Sequence, residues 1–245
     1  MPRSGSTLLC DLLRQTGVSG APASFFRAQS MANFSADWGI PAQRLEDFDQ
    51  SYIDSARQHG CAGGGRFGMR IMWDNMPGLL ARLTQIFRQA ATDRARLELA
   101  FGPLQFIHLY RRDQVAEAVS YTIAEQTGLW HRHADGTERE RVAPPAEPIY
   151  DAGQIRRNYD IVTKGHEDWL RWFAGENIDP HRLFYEDLAD DLVAALRGVL
   201  RSLNLDPTKA DHLRPGTARL ADSRNAEWAA RFRAETGLAP ASTEG

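Results

Sequence analysis

Lysine is nearly absent from this 245-residue sequence, and its scarcity excludes one large class of enzymes. Of the 29 basic residues, only Lys164 and Lys209 are lysines. Neither follows a glycine-rich loop, whereas a Walker A loop needs a Gly-Lys-Ser/Thr sequence whose lysine reaches the terminal phosphates. The sequence therefore offers no candidate for an ordinary ATP- or GTP-hydrolysing P-loop enzyme, and a nucleoside or sugar kinase is a disfavoured alternative.

Cysteines are few, long apolar runs are absent, and charges of the two signs nearly balance. Cys10 and Cys61 form no Cys-x-x-Cys pair, which excludes a disulfide framework, and His131 with His133 lacks a third ligand for a metal. The longest apolar stretches, such as Leu104 to Tyr110, are far shorter than the roughly 18 residues of a membrane-spanning helix. With a net charge of −3 and no signal-peptide pattern, we expect a cytoplasmic protein that binds no nucleic acid.

What is present is an alternation of short β-like runs with amphipathic helices, which predicts an α/β fold with a mainly parallel sheet. A content of 42% apolar and 25% charged residues is ordinary for a globular chain. Strands are predicted at 66–73, 104–111 and 182–186. Helices are predicted at 6–15, 45–58, 77–89, 114–126, 152–174, 190–203 and 224–235.

The domain prediction is a single α/β domain over residues 1–238, followed by a flexible tail at 239–245. Residues 131–148 have no periodicity and read as a surface insertion, either a substrate lid or a plain disordered excursion. At the other end, the turn at residues 2–7 opens a helix without the strand that usually precedes such a turn. Either the sheet lacks its first strand or the native chain starts upstream of Met1.

Three groups of residues carry chemistry. In Arg3-Ser4-Gly5-Ser6-Thr7, small residues and a helix N-terminus can cradle a phosphate or sulfate, although the motif alone favours an ordinary Ser/Thr helix cap. Arg112, at the end of a predicted strand, and Ser120, two turns into the next helix, can converge on one dianion. Further along, Arg219, Arg224 and Trp228 can cover a base and a phosphate, or belong to a solvated arginine-rich helix.

In order and spacing, several segments together resemble the bacterial PAPS-dependent sulfotransferases related to trehalose 2-sulfotransferase, including the proteins called LPS sulfotransferase-like. The resemblance covers nearly the whole chain. It rests on PRSGSTLL at the start, GAPASFF at 20–26, FGMRIMW at 67–73, RRDQVAEAVS at 111–120, EQTGLWH at 125–131, WLRWFA at 169–174 and RLADSRNAEW at 219–228.

The resemblance implies a P-loop-NTPase-like α/β fold and sulfuryl transfer from 3′-phosphoadenosine 5′-phosphosulfate (PAPS) to a hydroxyl of a carbohydrate or glycolipid. Arg3 to Thr7 would hold the 5′-phosphosulfate, and Arg112 with Ser120 the 3′-phosphate. Arg70, on a strand leading to the site, would bind the sulfonate, unless it pairs with a surface carboxylate. A metal is not needed, and a homodimer is a further expectation.

One departure from the family concerns the general base. The trehalose enzymes place a glutamate in the segment matching GAPASFF, where this chain has Ser24. His131 and Glu125 are the replacements we consider, with chemistry favouring histidine, and a helix-end carboxylate and a loop histidine are the structural alternatives. A PAP- or PAPS-binding protein that has lost catalysis is the competing function.

Overall fold

The structure, a computed structural model, describes residues 1–41, 45–61, 65–216 and 223–239, with the side chains of residues 45 and 46 also left aside. Within these ranges the chain forms ten α-helices and four short strands. The helices are α1 (Ser6–Gln15), α2 (Ala28–Asp37), α3 (Leu45–Cys61), α4 (Met76–Ile86), α5 (Asp93–Phe101), α6 (Gln114–Thr127), α7 (Ala152–Gly175), α8 (Tyr185–Asp190), α9 (Leu192–Ser202) and α10 (Ser223–Thr236). The strands are β1 (Ile107–Tyr110), β2 (Leu129–Arg132), β3 (Glu138–Arg141) and β4 (His181–Phe184).

The parallel sheet is smaller than predicted, although the mixed α/β class is confirmed. Strands β1 and β4 pair in parallel from Ile107 with His181 to Tyr110 with Phe184. The strand predicted at 66–73 is reduced to a single parallel bridge between Met69 and Ala23. Pro22 precedes this bridge and has no N–H to donate, so it cannot extend the pairing into a ladder.

The predicted insertion at 131–148 contains an antiparallel hairpin rather than an irregular excursion. Gly128 ends α6 in the left-handed conformation, at φ 68°, and β2 begins at the next residue. Strand β2 pairs with β3, with His131 opposite Glu140. Arg139 of β3 forms an ion pair with Asp11 of α1, which fixes the hairpin against the first helix. Of the predicted tail, residues 240–245 lie outside the described residues.

Three apolar clusters position the elements around one edge of the β1–β4 pair. An aromatic cluster that includes Phe25, Tyr52 and Trp169 packs the segment after α1 against α3, α4, α5 and α7. Leucines of α1 pack against β4 and α9, and α6, α7 and α10 share a third cluster. Because β1 and β4 are parallel, their carboxyl ends meet at the same edge, where open α/β sheets bind ligands.

Candidate active site

A cavity of about 560 Å³ opens at this edge. Its wall combines the turn before α1, the segment around Arg70, the first residue after each parallel strand, and the β2–β3 hairpin. The residues with polar or aromatic side chains that line it include Arg3, Ser6, Thr7, Ser24, Arg27, Arg70, Asp74, Asn75, Arg111, Ser120, Tyr121, Trp130, His131, Glu140, Tyr185 and Asp190.

The turn before α1 has a backbone shape suited to an anion. Arg3 and Gly5 both have positive φ values, 66° and 87°, and turns of this kind direct successive N–H groups into a concavity. Gly5 is the N-cap of α1 and no side chain caps this helix, so the Ser/Thr cap considered above is absent. Ser4 is 1% exposed, and its Oγ has no hydrogen-bond partner among the described residues. A helix N-terminus that no side chain caps leaves its backbone N–H groups free to bind an anion.

Arg70 joins this turn to the Ser24 segment. Its Nη1 donates to Thr7 Oγ1 at 2.7 Å and to Ser6 Oγ at 3.5 Å, while Nε donates to Ser24 Oγ at 2.7 Å. These partners are neutral hydroxyls, which orient the guanidinium, and no carboxylate among the described residues forms an ion pair with it. The charge is therefore available to an anionic ligand in the cavity.

Arg3 and Arg111 place two further positive charges at the same wall. Arg3 Nε donates to Ser120 Oγ at 3.1 Å, and its Nη1 donates to the carbonyl of Trp130. Arg111 lies 4.0 Å above the ring of Tyr185, with no hydrogen-bond partner for its buried Nε in the described part of the chain. Burial and the nearby Arg111 lower the pKa of Arg3 to about 10. A bound anion would relieve this repulsion between like charges.

His131 reaches the cavity from β2. Its Nε2 lies 3.1 Å from Thr7 Oγ1 and 3.5 Å from Glu140 Oε2. Burial, followed by the charges of Arg3 and Arg70, lowers the pKa of His131 to about 4. The imidazole is thus neutral at neutral pH and has a lone pair with which to accept a proton.

Comparison with known proteins shows to which family this chain belongs. A family model described as Stf0 sulphotransferase matches residues 1–235. The chain belongs to the Stf0 sulphotransferase family. Among its relatives, a trehalose 2-sulfotransferase of Mycobacterium tuberculosis is 33% identical over 95% of this chain and 92% of that protein. A trehalose 2-sulfotransferase of Mycolicibacterium smegmatis is 30% identical over 94% of this chain and 91% of that protein. These matches identify this Stf0 protein as a sulfotransferase.

Several residues that the sequence suggested for the Stf0 site lie away from the cavity. Arg112 points to the surface, where it donates to both carboxylate oxygens of Asp187 at 2.7 and 3.1 Å. Glu125 accepts hydrogen bonds from Asn158 at 2.8 Å and Gln154 at 3.1 Å between α6 and α7. Each of these side chains is occupied with a structural contact.

The suggested residues of α10 are also elsewhere. Arg224 forms an exposed ion pair with Glu147, and Trp228 is buried against α6 and α7, edge-on to Tyr150. Arg219 lies outside the described residues. The cavity does contain Arg3, Gly5, Ser6, Thr7, Arg70, Ser120 and His131 from the sequence-based set, with Ser4 buried directly behind the turn.

Sequence reasoning missed several cavity residues, among them Arg111, Tyr185 and Glu140. Arg111 and Tyr185 each follow a parallel strand directly, so the position rule for ligand sites was a usable signal for both. Glu140 lies on β3, in a stretch whose sequence showed no strand pattern, and only the hairpin pairing brings it opposite His131.

The described residues contain neither a metal-binding cluster nor a membrane-spanning helix. Within the described ranges, no group of three or more His, Cys, Asp or Glu side chains is arranged to hold a metal ion. Among the helices described, none is long and apolar enough to cross a membrane.

Proposed function

We propose that this Stf0 protein transfers a sulfuryl group from PAPS to a hydroxyl of a carbohydrate. The observation that carries the proposal is the convergence of Arg3, Arg70 and Arg111 on one cavity beside the N-terminus of α1. No salt bridge neutralises any of the three in the described part of the chain, although this structure contains many arginine–carboxylate pairs elsewhere. Three uncompensated guanidiniums at a helix N-terminus suit a ligand with several anionic groups.

The donor would lie along the α1 turn and the first turns of α6. In this proposal, the backbone of residues 3–7 and the hydroxyls of Ser6 and Thr7, which line the cavity, hold the 5′-phosphosulfate, and the arrangement acts as a P-loop-like cradle without a lysine. Arg111 and Ser120 hold the 3′-phosphate. The Ser120 oxygen accepts from Arg3, so its own O–H is free to donate to a phosphate oxygen.

We assign the 3′-phosphate to Arg111 rather than to Arg112. Arg111 is 9% exposed, lines the cavity and forms no ion pair among the described residues. Arg112, in contrast, is committed to Asp187 and also stacks 3.6 Å above the ring of Phe184. Moving Arg112 into the cavity would require both contacts to break, whereas Arg111 already lines the wall.

The chain's own residues then supply charge neutralisation and a proton acceptor. When bound, PAPS supplies the sulfuryl group and a phosphate leaving group. Arg70, held by Thr7 and Ser24, neutralises the sulfonate, and Arg3 with the amides of the turn stabilises negative charge on the departing 5′-phosphate. His131 accepts the proton of the attacking hydroxyl.

A carbohydrate acceptor suits the rest of the cavity wall. The aromatic rings of Tyr121 and Trp130 lie 5.7 Å apart and offer an apolar surface, while Asp74 and Asn75 add hydrogen-bonding groups. A few polar groups on an apolar wall are the usual composition of a site that orients a small ligand. The relatives are named as trehalose sulfotransferases, which makes trehalose the first acceptor to test. A glycolipid acceptor, a cytoplasmic location and a homodimer stay predictions.

Mass spectrometry of the products tests this function. The protein is incubated with PAPS and trehalose, and with a panel of other sugars and glycolipids. We expect an acceptor whose mass increases by one SO₃ group, with release of PAP, and loss of both signals in Arg70→Ala. Tight binding of PAP without transfer to any acceptor would instead support the competing function, a nucleotide-binding protein without catalysis. Absence of PAP binding would contradict the donor assignment itself.

A further inference from the structure

The β2–β3 hairpin brings one histidine and one carboxylate into contact inside the cavity. His131 and Glu140 are cross-strand partners, and Glu140 Oε2 lies 3.5 Å from His131 Nε2. Asp74 and Asp190 also line the cavity, but among the described residues only the Glu140 carboxylate lies within 4.0 Å of a nitrogen of this imidazole. The hairpin is fixed at its neighbouring position by the ion pair of Arg139 with Asp11.

The contacts of Nε2 indicate which ring nitrogen carries the proton. An ionised carboxylate only accepts hydrogen bonds, so the approach of Glu140 favours an N–H at Nε2. Thr7 Oγ1, at 3.1 Å from Nε2, already accepts from Arg70, and its second lone pair can accept from the imidazole. With the proton on Nε2, Nδ1 has the free lone pair. In the described part of the chain, no hydrogen bond occupies Nδ1.

We propose that Glu140 is a positioning residue that keeps the proton of His131 on Nε2 and so leaves Nδ1 to accept the proton of the acceptor hydroxyl. This inference rests on the proposed function, and it names Glu140 as the group that makes His131 an effective base. A carboxylate that orients a histidine and stabilises the imidazolium is a recurrent solution for activating hydroxyl nucleophiles.

In the transfer step, the oxygen of the acceptor hydroxyl forms a bond to sulfur while the bond between sulfur and the donor's 5′-phosphate oxygen breaks. The electron pair of the broken bond leaves on the phosphate. The hydroxyl proton moves to Nδ1, and the resulting imidazolium lies against the Glu140 carboxylate. The products are the sulfate ester, PAP and a proton that His131 later releases to water.

Several charges around His131 oppose or assist its protonation. Arg3 and Arg70 on the turn and the neighbouring segment, and Arg139 on β3, disfavour the imidazolium, whereas Asp11 on α1 favours it. Glu140 adds a second favourable charge at contact distance, although Arg27 lies 3.6 Å from its other oxygen. An anion bound to Arg3 and Arg70 would remove part of the opposing charge, so His131 becomes a stronger base once the donor site is filled.

Nuclear magnetic resonance of ¹⁵N-labelled histidine tests the proposal without any turnover. The His131 signals are assigned with His131→Gln, and spectra are recorded at pH 7 for the tautomer and over a descending pH series for the pKa, for the parent, Glu140→Gln and Glu138→Gln, with and without PAP. Glu138 is a matched control because it lies on the same strand but pairs with Arg141. We expect the Nε2–H tautomer in the parent and in Glu138→Gln. In Glu140→Gln we expect a mixture of tautomers and, with PAP bound, a pKa lowered by about one unit.

A rate measurement gives the second readout. Single-turnover transfer by Glu140→Gln should fall about tenfold at neutral pH, with the acidic limb of its pH profile displaced, while PAP affinity stays within about twofold. Glu140→Asp should recover part of the rate, and Glu140→Gln should add little to the defect of His131→Gln.

The outcomes separate the two proposals. An Nδ1–H tautomer in the parent, or an unchanged tautomer and pH profile in Glu140→Gln, would overturn the role of Glu140. A parent protein with the Nε2–H tautomer that neither binds PAP nor transfers sulfuryl groups would overturn the proposed function while the tautomer control by Glu140 still holds.

Discussion

Glu117 gives the sharpest prediction about stability, because it is a buried acid without a full set of partners. Its side chain lies on α6 behind Arg3 and Arg111, the residue is 1% exposed, and Oε1 has no hydrogen-bond partner among the described residues. Burial raises its pKa from 4.5 to about 7. A raised folded-state pKa means that ionisation costs more in the folded than in the unfolded chain, so stability falls as pH rises from about 4.5 to about 7.

The size of the effect follows from the two pKa values. A difference of about 2.5 units corresponds to roughly 3.4 kcal/mol in total, of which about 2.5 kcal/mol falls between pH 5 and pH 8. Glu117→Gln cannot ionise and loses this dependence. The buried histidines add a pH dependence of their own, because in the unfolded chain their pKa values return to about 6.5. They are shared by parent and variant, so the difference in unfolding free energy between the two isolates Glu117.

Denaturant unfolding at pH 5 and pH 8 measures this difference. Glu167→Gln, an exposed substitution on α7, matches the change in net charge and serves as the control. We expect Glu117→Gln to gain about 2.5 kcal/mol relative to the parent on going from pH 5 to pH 8. A difference between Glu117→Gln and the parent that is the same at both pH values would refute the burial argument.

Two other substitutions separate the anion cradle from the core. Gly5→Ala should weaken PAP binding by about tenfold or more, because a side chain at φ 87° is strained and its Cβ would lie 2.3 Å from Tyr185 Cδ2. Gly175→Ala is the control, because its added Cβ would meet no other part of the structure within 4 Å. Calorimetric titration measures PAP binding by both variants. Trp228→Ala should lower the unfolding free energy by about 3–5 kcal/mol while PAP affinity, measured well below the melting temperature, is unchanged. A loss of PAP binding without a loss of stability would instead show that Trp228 contributes to the donor site.

The helices that the sequence predicted well are those whose own apolar pattern marks their beginning and end. Helix α1 has the predicted bounds, because Leu9, Leu12 and Leu13 form one buried face, and α6 differs from its prediction by one residue. Helices α2, α5 and α8 were missed. Helix α2 has no buried residue, so no apolar period was available to reveal it.

The sequence predicted the part of the candidate site that the backbone of one segment forms. It missed the residues that only contacts between distant segments bring into the cavity. The turn at residues 3–7 is a local feature, and the structure places it at the cavity. Arg111 lines the cavity, whereas Arg112 pairs with Asp187, which lies 75 residues further along the chain. Glu140 faces His131 only through strand pairing, which single-residue patterns do not reveal.

Calorimetric titration of PAP and AMP into the parent, Arg111→Ala and Arg112→Ala tests the central claim most directly, because AMP lacks only the 3′-phosphate. We expect the parent to bind PAP far more tightly than AMP. Arg111→Ala should lose about 10- to 100-fold in PAP affinity, the worth of a charged contact to phosphate, with little change for AMP. Arg112→Ala should bind PAP within about threefold of the parent. Equal affinities of the parent for PAP and AMP, or a loss confined to Arg112→Ala, would contradict the donor site described here.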